Sequence, residues 1–147
     1  MKRVFSVLVL LAMLCTPAVV HADALDILIA EVQTESSASA SEEFIVLVNN
    51  SARPVDLSDW HVQYFSAGAA DFSTPTRNVE LGGTLVPHDT FLIASTGYRS
   101  GEAAASFGAT LAATGGHVRL ISGSGATEVQ HDLLGWGSAS HPEGVAI

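Results

Sequence analysis

From residue 60 the chain reads Trp60-His61-Val62-Gln63-Tyr64, apolar and polar in strict alternation, which is the two-residue period of a strand with one buried face. Trp60, Val62 and Tyr64 are therefore expected to face a core, with His61 and Gln63 on the other side of the pleat. His117 to Ser122 repeats the pattern, placing Val118 and Leu120 inward and His117 and Arg119 outward. Further short runs of β-branched and aromatic residues, separated by Gly, Ser, Asn, Asp and Pro, predict strands over Asp26 to Thr34, Glu43 to Val48, Asn78 to Leu81, Thr90 to Ser95 and Thr127 to Leu134. Beyond residue 22 no segment shows sustained apolar recurrence at helical spacing. Seven short strands with turn signals between them predict an all-β, two-sheet sandwich in preference to any βαβ arrangement.

The strand at Glu43 breaks the alternation. Ile45 and Leu47 form one apolar face, and Phe44, Val46 and Val48 form a second. Either the chain covers that second face with a strand, loop or tail of its own, or the face is a candidate interaction surface. Polar residues mark the corners of this strand. Glu43 begins a core-facing set and needs a partner, for which turn amides, Arg53 and Arg119 are the candidates. Asn49 suits a strand end where its amide satisfies turn backbone groups, Pro54 fixes φ within the turn, and Asp56 or Ser58 can accept backbone N–H bonds before Trp60. Trp60 is large enough to plug the space between two sheets. Ser36 to Glu43 reads as a polar connection, Ala67 to Pro75 and Tyr98 to Thr110 as small-residue surface loops, and EAAASFGATLAA, Glu102 to Ala113, as able to form one helical turn.

The first residues follow a different pattern. Lys2 and Arg3 precede the apolar run Val4 to Leu14 and a small-residue stretch ending at Ala22, which predicts a secretory signal peptide over 1–22 and one domain over 23–147. The apolar run is short for a membrane span, so no membrane association is expected once the signal is removed. Cys15, the only cysteine, lies within this segment behind Leu14, where a lipidation signal wants a small residue; the remainder has neither disulfides nor thiolate metal sites and relies on packing. Removal of residues 1–22 takes two cations and no acid from a formal charge of −9, leaving −11 and no lysine. Such a surface disfavours phosphate backbones, so no nucleic-acid binding is expected.

Several of these residues together carry a family resemblance. Glu43, Phe44, Ile45, Leu47 and Asn49, followed after a polar turn by Val-Asp-Leu-Ser-Asp-Trp at Val55 to Trp60, resemble the lamin tail domain, an immunoglobulin-like β-sandwich found in nuclear lamins and in secreted bacterial proteins. Ile27 to Val32, with Glu31, is similar to the family's opening strand; Leu111 to Leu120, with Gly115, Val118 and Leu120, to its Leu-Ser-Asn-x-Gly-Asp-x-Val-x-Leu segment; and Asp132 to Gly137, with Trp136, to its closing strand. The resemblance implies a structural role for Asp56, Leu57 and Trp60 as well as for these. The sequence departs from the family at Val46, where a second glutamate is common, at Asp59 in place of glycine, and at Ala112, Ala113 and Gly116. The family usually continues beyond a segment like the one ending at Gly144, so a further stretch or a strand from elsewhere is expected to complete the domain.

No catalytic motif is present: there is no G-x-S-x-G, no H-E-x-x-H, no P-loop, and no two histidines three to five residues apart. Histidines 61, 88, 117, 131 and 141 are scattered, and the adjacent pairs Ser140-His141 and His131-Asp132 point to opposite faces of a strand. Glu42, Asp56, Asp59 and Asp71 are the candidates for a calcium site, although no Asp-x-Asp-x-Asp-Gly loop occurs and no cofactor is implied. The expected function is a secreted, non-catalytic binding or scaffold module that recognises a protein or cell-envelope component. The alternative expectation is an accessory domain of a secreted nuclease or phosphoesterase.

Overall fold

A computed structural model describes residues 26–34, 42–99, 101–108 and 111–142. Residues 1–22, the expected signal peptide, lie outside the described residues, as does most of the connection 36–43. Among the described residues ten strands follow one another: β1 (Ile27–Gln33), β2 (Phe44–Asn49), β3 (Val55–Asp56), β4 (Trp60–Ser66), β5 (Arg77–Glu80), β6 (Thr84–Leu85), β7 (Thr90–Ser95), β8 (Ala105–Phe107), β9 (Gly115–Ser122) and β10 (Val129–Gly137). One sheet has the order β1-β2-β7-β8, the other β10-β9-β4-β5, and β3 pairs with β6 in a short ladder. The two main sheets form the sandwich. At their margins β1 lies against β10 and β5 against β8.

Seven of these strands fall on the segments predicted from alternation. The short strands β3, β6 and β8 carry too few residues to show a period, and the stretch Glu102 to Ala113, expected as loop and able to form one helical turn, contains β8 instead, paired in parallel with β7 through Ile93 opposite Ala105. A run of small residues has helical propensity, but the exposed margin of β7 offers it backbone partners that an isolated turn cannot match.

The core lies between the sheets. Ile27 and Ile29 of β1, Ile45 and Leu47 of β2, Ile93 of β7, and Trp60, Val62, Tyr64, Val118 and Leu120 of β4 and β9 are all buried, as the alternation requires. Leu57, Val55 and Leu85 close one end of the sandwich. Gly116 sits where Tyr64 and Trp136 stack, their ring centroids 6.0 Å apart, and a Cβ there would come within 2.7 Å of the Tyr64 ring.

The far face of the second sheet corrects one expectation. Gln63, Phe65, His117, Arg119 and Ile121 do lie on the face away from the core, but all five are buried. Phe72, from the loop between β4 and β5, packs edge-on against Phe65 and His117 at 5.0 and 5.3 Å, and the Arg119 guanidinium lies over both phenyl rings. Arg119 also donates to Gln63 Oε1 and pairs with Glu128 at 2.9 Å. Alternation gives the side of the pleat on which a residue stands; it carries no information about a loop that folds back over that side.

Candidate functional site

The corner residues show how the polar pattern is satisfied. Glu43 is buried at the start of β2, and its Oε2 accepts the backbone N–H of Leu111 at 2.9 Å. Of the candidate partners, a backbone amide is the one found, although from a distant segment; the two candidate arginines are engaged with other acids, Arg53 with Asp26 at 2.7 Å and Arg119 with Glu128. Asn49, fully buried at the end of β2, donates from Nδ2 to the carbonyls of Arg53 and Leu85 and accepts the Ser51 N–H at Oδ1, holding the turn against β6. Asp56 Oδ1 accepts the N–H of Ser58, the turn contact foreseen for it. Asp132 spans the two sheets, its Oδ2 accepting the N–H of Ile29 beside the β1 bulge. Trp136 donates from Nε1 to the Ala112 carbonyl, and Tyr64 Oη accepts the Ala112 N–H, so both rings anchor the approach to β9. Gly137 has φ of 60° and lies against Thr114, a position where any side chain would collide with the backbone. Glu31 is exposed, following the β1 bulge and opposite Val46.

Two surfaces stand outside these internal bonds. The first is the outer side of the first sheet. Val48 stands opposite Leu28, and Val46 opposite Leu92, so these four side chains share a face with Phe44. Each of the five is only half-buried. Tyr98 packs edge-on against Phe44, with centroids 5.9 Å apart, and caps one end of the stripe. Sequence reasoning named Phe44, Val46 and Val48; Leu28 and Leu92 join them only once the strand register is known.

The second is an open cleft of about 400 Å³ at the end of the sandwich, between the turn after β2 and the hairpin of β9 and β10. Its apolar walls are Pro54, Val55, Trp60 and Val129, and Asp26, Arg53, Asp56, Asp59, Ser122 and His131 supply its polar groups. His131 stacks on Trp60 at 4.1 Å between centroids and shares a 2.7 Å hydrogen bond between Nε2 and Ser122 Oγ. Burial pushes its imidazole below the usual value, with Asp26 opposing that shift in part. Among the described residues its Nδ1 is buried without a hydrogen-bond partner, so none of them gives the Ser122–His131 pair the carboxylate that orients a catalytic imidazole.

Of the acidic residues named as calcium candidates, Asp56 and Asp59 meet in this cleft, whereas Glu42 and Asp71 lie outside its lining. Asp71 accepts the Ser73 N–H and hydroxyl, and these bonds hold its carboxyl below the usual range. Among the described residues no three His, Cys, Asp or Glu side chains are grouped to hold a metal ion. His117 and His141 do come together, with the His141 N–H donating to His117 Nε2 at 3.1 Å and the His117 Nδ1 position meeting the Ser66 carbonyl. That contact ties the segment after β10 to the second sheet.

The family model described as Lamin Tail Domain matches residues 21–138, which includes every strand of the sandwich. The chain belongs to the lamin tail domain family. No curated protein matches it. In this lamin tail domain the motif residues Glu43, Asn49, Asp132 and Trp136 each bond a backbone group from a distant part of the chain, so their geometry serves the fold.

Proposed function

We propose that this lamin tail domain is a secreted, non-catalytic binding module that recognises a protein or cell-envelope component through the outer face of its first sheet. The observation that carries the reading is the stripe of Leu28, Phe44, Val46, Val48 and Leu92, five half-buried apolar side chains on one sheet face. Water on such a face costs free energy in proportion to its area, and a partner that covers it recovers that energy. The acidic composition keeps the rest of the surface soluble and disfavours nucleic acid. Export is supported by Lys2, Arg3 and the apolar run that follows them.

Val46→Glu tests the binding face, because it restores a carboxylate at a position where the family commonly has one and sits opposite Leu92 on the exposed side. The expected result is an unchanged fold by circular dichroism together with loss of self-association or of a discrete envelope partner that the native protein retains. Association equal in the two proteins would show the face to be inert. Export is tested by the mass of the protein recovered from its culture medium, which should begin at Asp23; material retained in the cytoplasm with Met1 intact would overturn it.

A further inference from the structure

The cleft at the end of the sandwich is unbalanced in its hydrogen-bonding groups. Asp26 is met by Arg53 at 2.7 Å. Asp56 and Asp59 form no ion pair among the described residues, and Asp56 uses only Oδ1, for the Ser58 N–H. The third unmatched group is His131 Nδ1, the one buried side-chain nitrogen or oxygen without a partner among the described residues. The Ser122–His131 bond can run in either direction, so the groups of the cleft that call for a donor are the carboxylates of Asp56 and Asp59, while Arg53, the one cation of the lining, is held by Asp26. Between them the walls are apolar, and Val129, 48% exposed, stands beside them as one of two large apolar side chains so exposed among the described residues.

We propose that this cleft receives a lysine side chain from a partner polypeptide, with the ammonium directed to Asp56 and Asp59 and the aliphatic stem along Val55 and Val129. An ammonium has three donors and no acceptor, and its four-carbon stem buries readily along an apolar wall. Residues 23–147 contain no lysine, so that part of a second copy cannot supply the side chain, which favours a different protein as the occupant. The inference rests on the binding-module reading and names a chemical feature of the partner, at a surface separate from the apolar stripe.

The test is a nuclear magnetic resonance titration of the mature protein at physiological salt with the peptide acetyl-Gly-Gly-Lys-Gly-Gly-amide. Its Nε-acetyl-lysine and norleucine counterparts serve as controls. Saturable shifts confined to Asp56, Asp59, the Trp60 indole and Val129 are expected, absent with either control. Asp56→Asn with Asp59→Asn should weaken binding about fivefold or more, since each loses a charge-assisted bond. Both positions are exposed, and asparagine retains the oxygen that accepts the Ser58 N–H, so the fold is not at risk. Asp71→Asn, which removes a single charge elsewhere, should change nothing. Shifts spread over the whole acidic surface, shifts preserved in the double variant, or equal shifts with norleucine would each overturn the proposal. Val46→Glu should leave the titration intact, so partner capture lost in that variant while the lysine peptide fails to bind would remove the cleft inference alone.

Discussion

The carboxylate of Glu43 and the backbone N–H of Leu111, 68 residues apart in sequence, meet at 2.9 Å inside the protein. This bond joins the start of β2 to the segment entering β9, and so ties one sheet of the sandwich to the approach of the other. Glu43→Ala would leave a buried N–H unmatched and a void behind it, at an expected cost of about 3 kcal/mol. Glu43→Gln retains an acceptor oxygen and should cost less than half as much. Urea denaturation of the two variants checks the order, and an alanine variant as stable as the native protein would show that the bond is dispensable.

Asn49 donates two bonds from one amide, to Arg53 and Leu85. Aspartate has the same shape but no donor, so Asn49→Asp turns both carbonyls against a buried negative charge. The expected loss is about 3 kcal/mol or more, visible as a lowered melting temperature at neutral pH and partly recovered in acid as the new carboxylate gains a proton.

At Gly116 the limit is steric. A methyl group there would stand 2.7 Å from Tyr64 and 2.8 Å from Trp136. Gly116→Ala is expected to force the two rings apart and cost about 1–3 kcal/mol, with a change in near-ultraviolet circular dichroism that reports the broken stack. An unchanged spectrum at full stability would mean that the rings are free to move aside.

His131 should make stability depend on pH in a defined direction. Its imidazole is pushed below the usual 6.5 by burial, so in that range the unfolded chain binds a proton that the folded protein does not. The stability associated with the neutral ring is complete above about pH 6.5 and is lost as the pH falls from there toward the lowered folded value. His131→Phe, which keeps a ring against Trp60, should flatten that part of the profile relative to the native protein. Parallel profiles for the two would exclude His131 as a source of the slope.

Strict alternation made Trp60, Val62, Tyr64, Val118 and Leu120 legible as core positions, because a pleated strand between core and surface sorts side chains with a period of two. The family, too, was legible, because Glu43, Asn49, Trp60 and Asp132 to Gly137 keep their order and spacing along the chain. The partners of those residues were not. Glu43 accepts from the distant amide of Leu111, where turn amides, Arg53 and Arg119 were the candidates, and His117 and Arg119 are buried by Phe72 and Glu128, from segments with no period of their own. Local sequence determines which side of a strand is apolar and where the chain must turn, since these follow from neighbouring residues. Only the folded chain decides which distant group meets a buried carboxylate, what covers an outer face, and which acids share a cleft, since those contacts depend on how the two sheets and their loops come together in space.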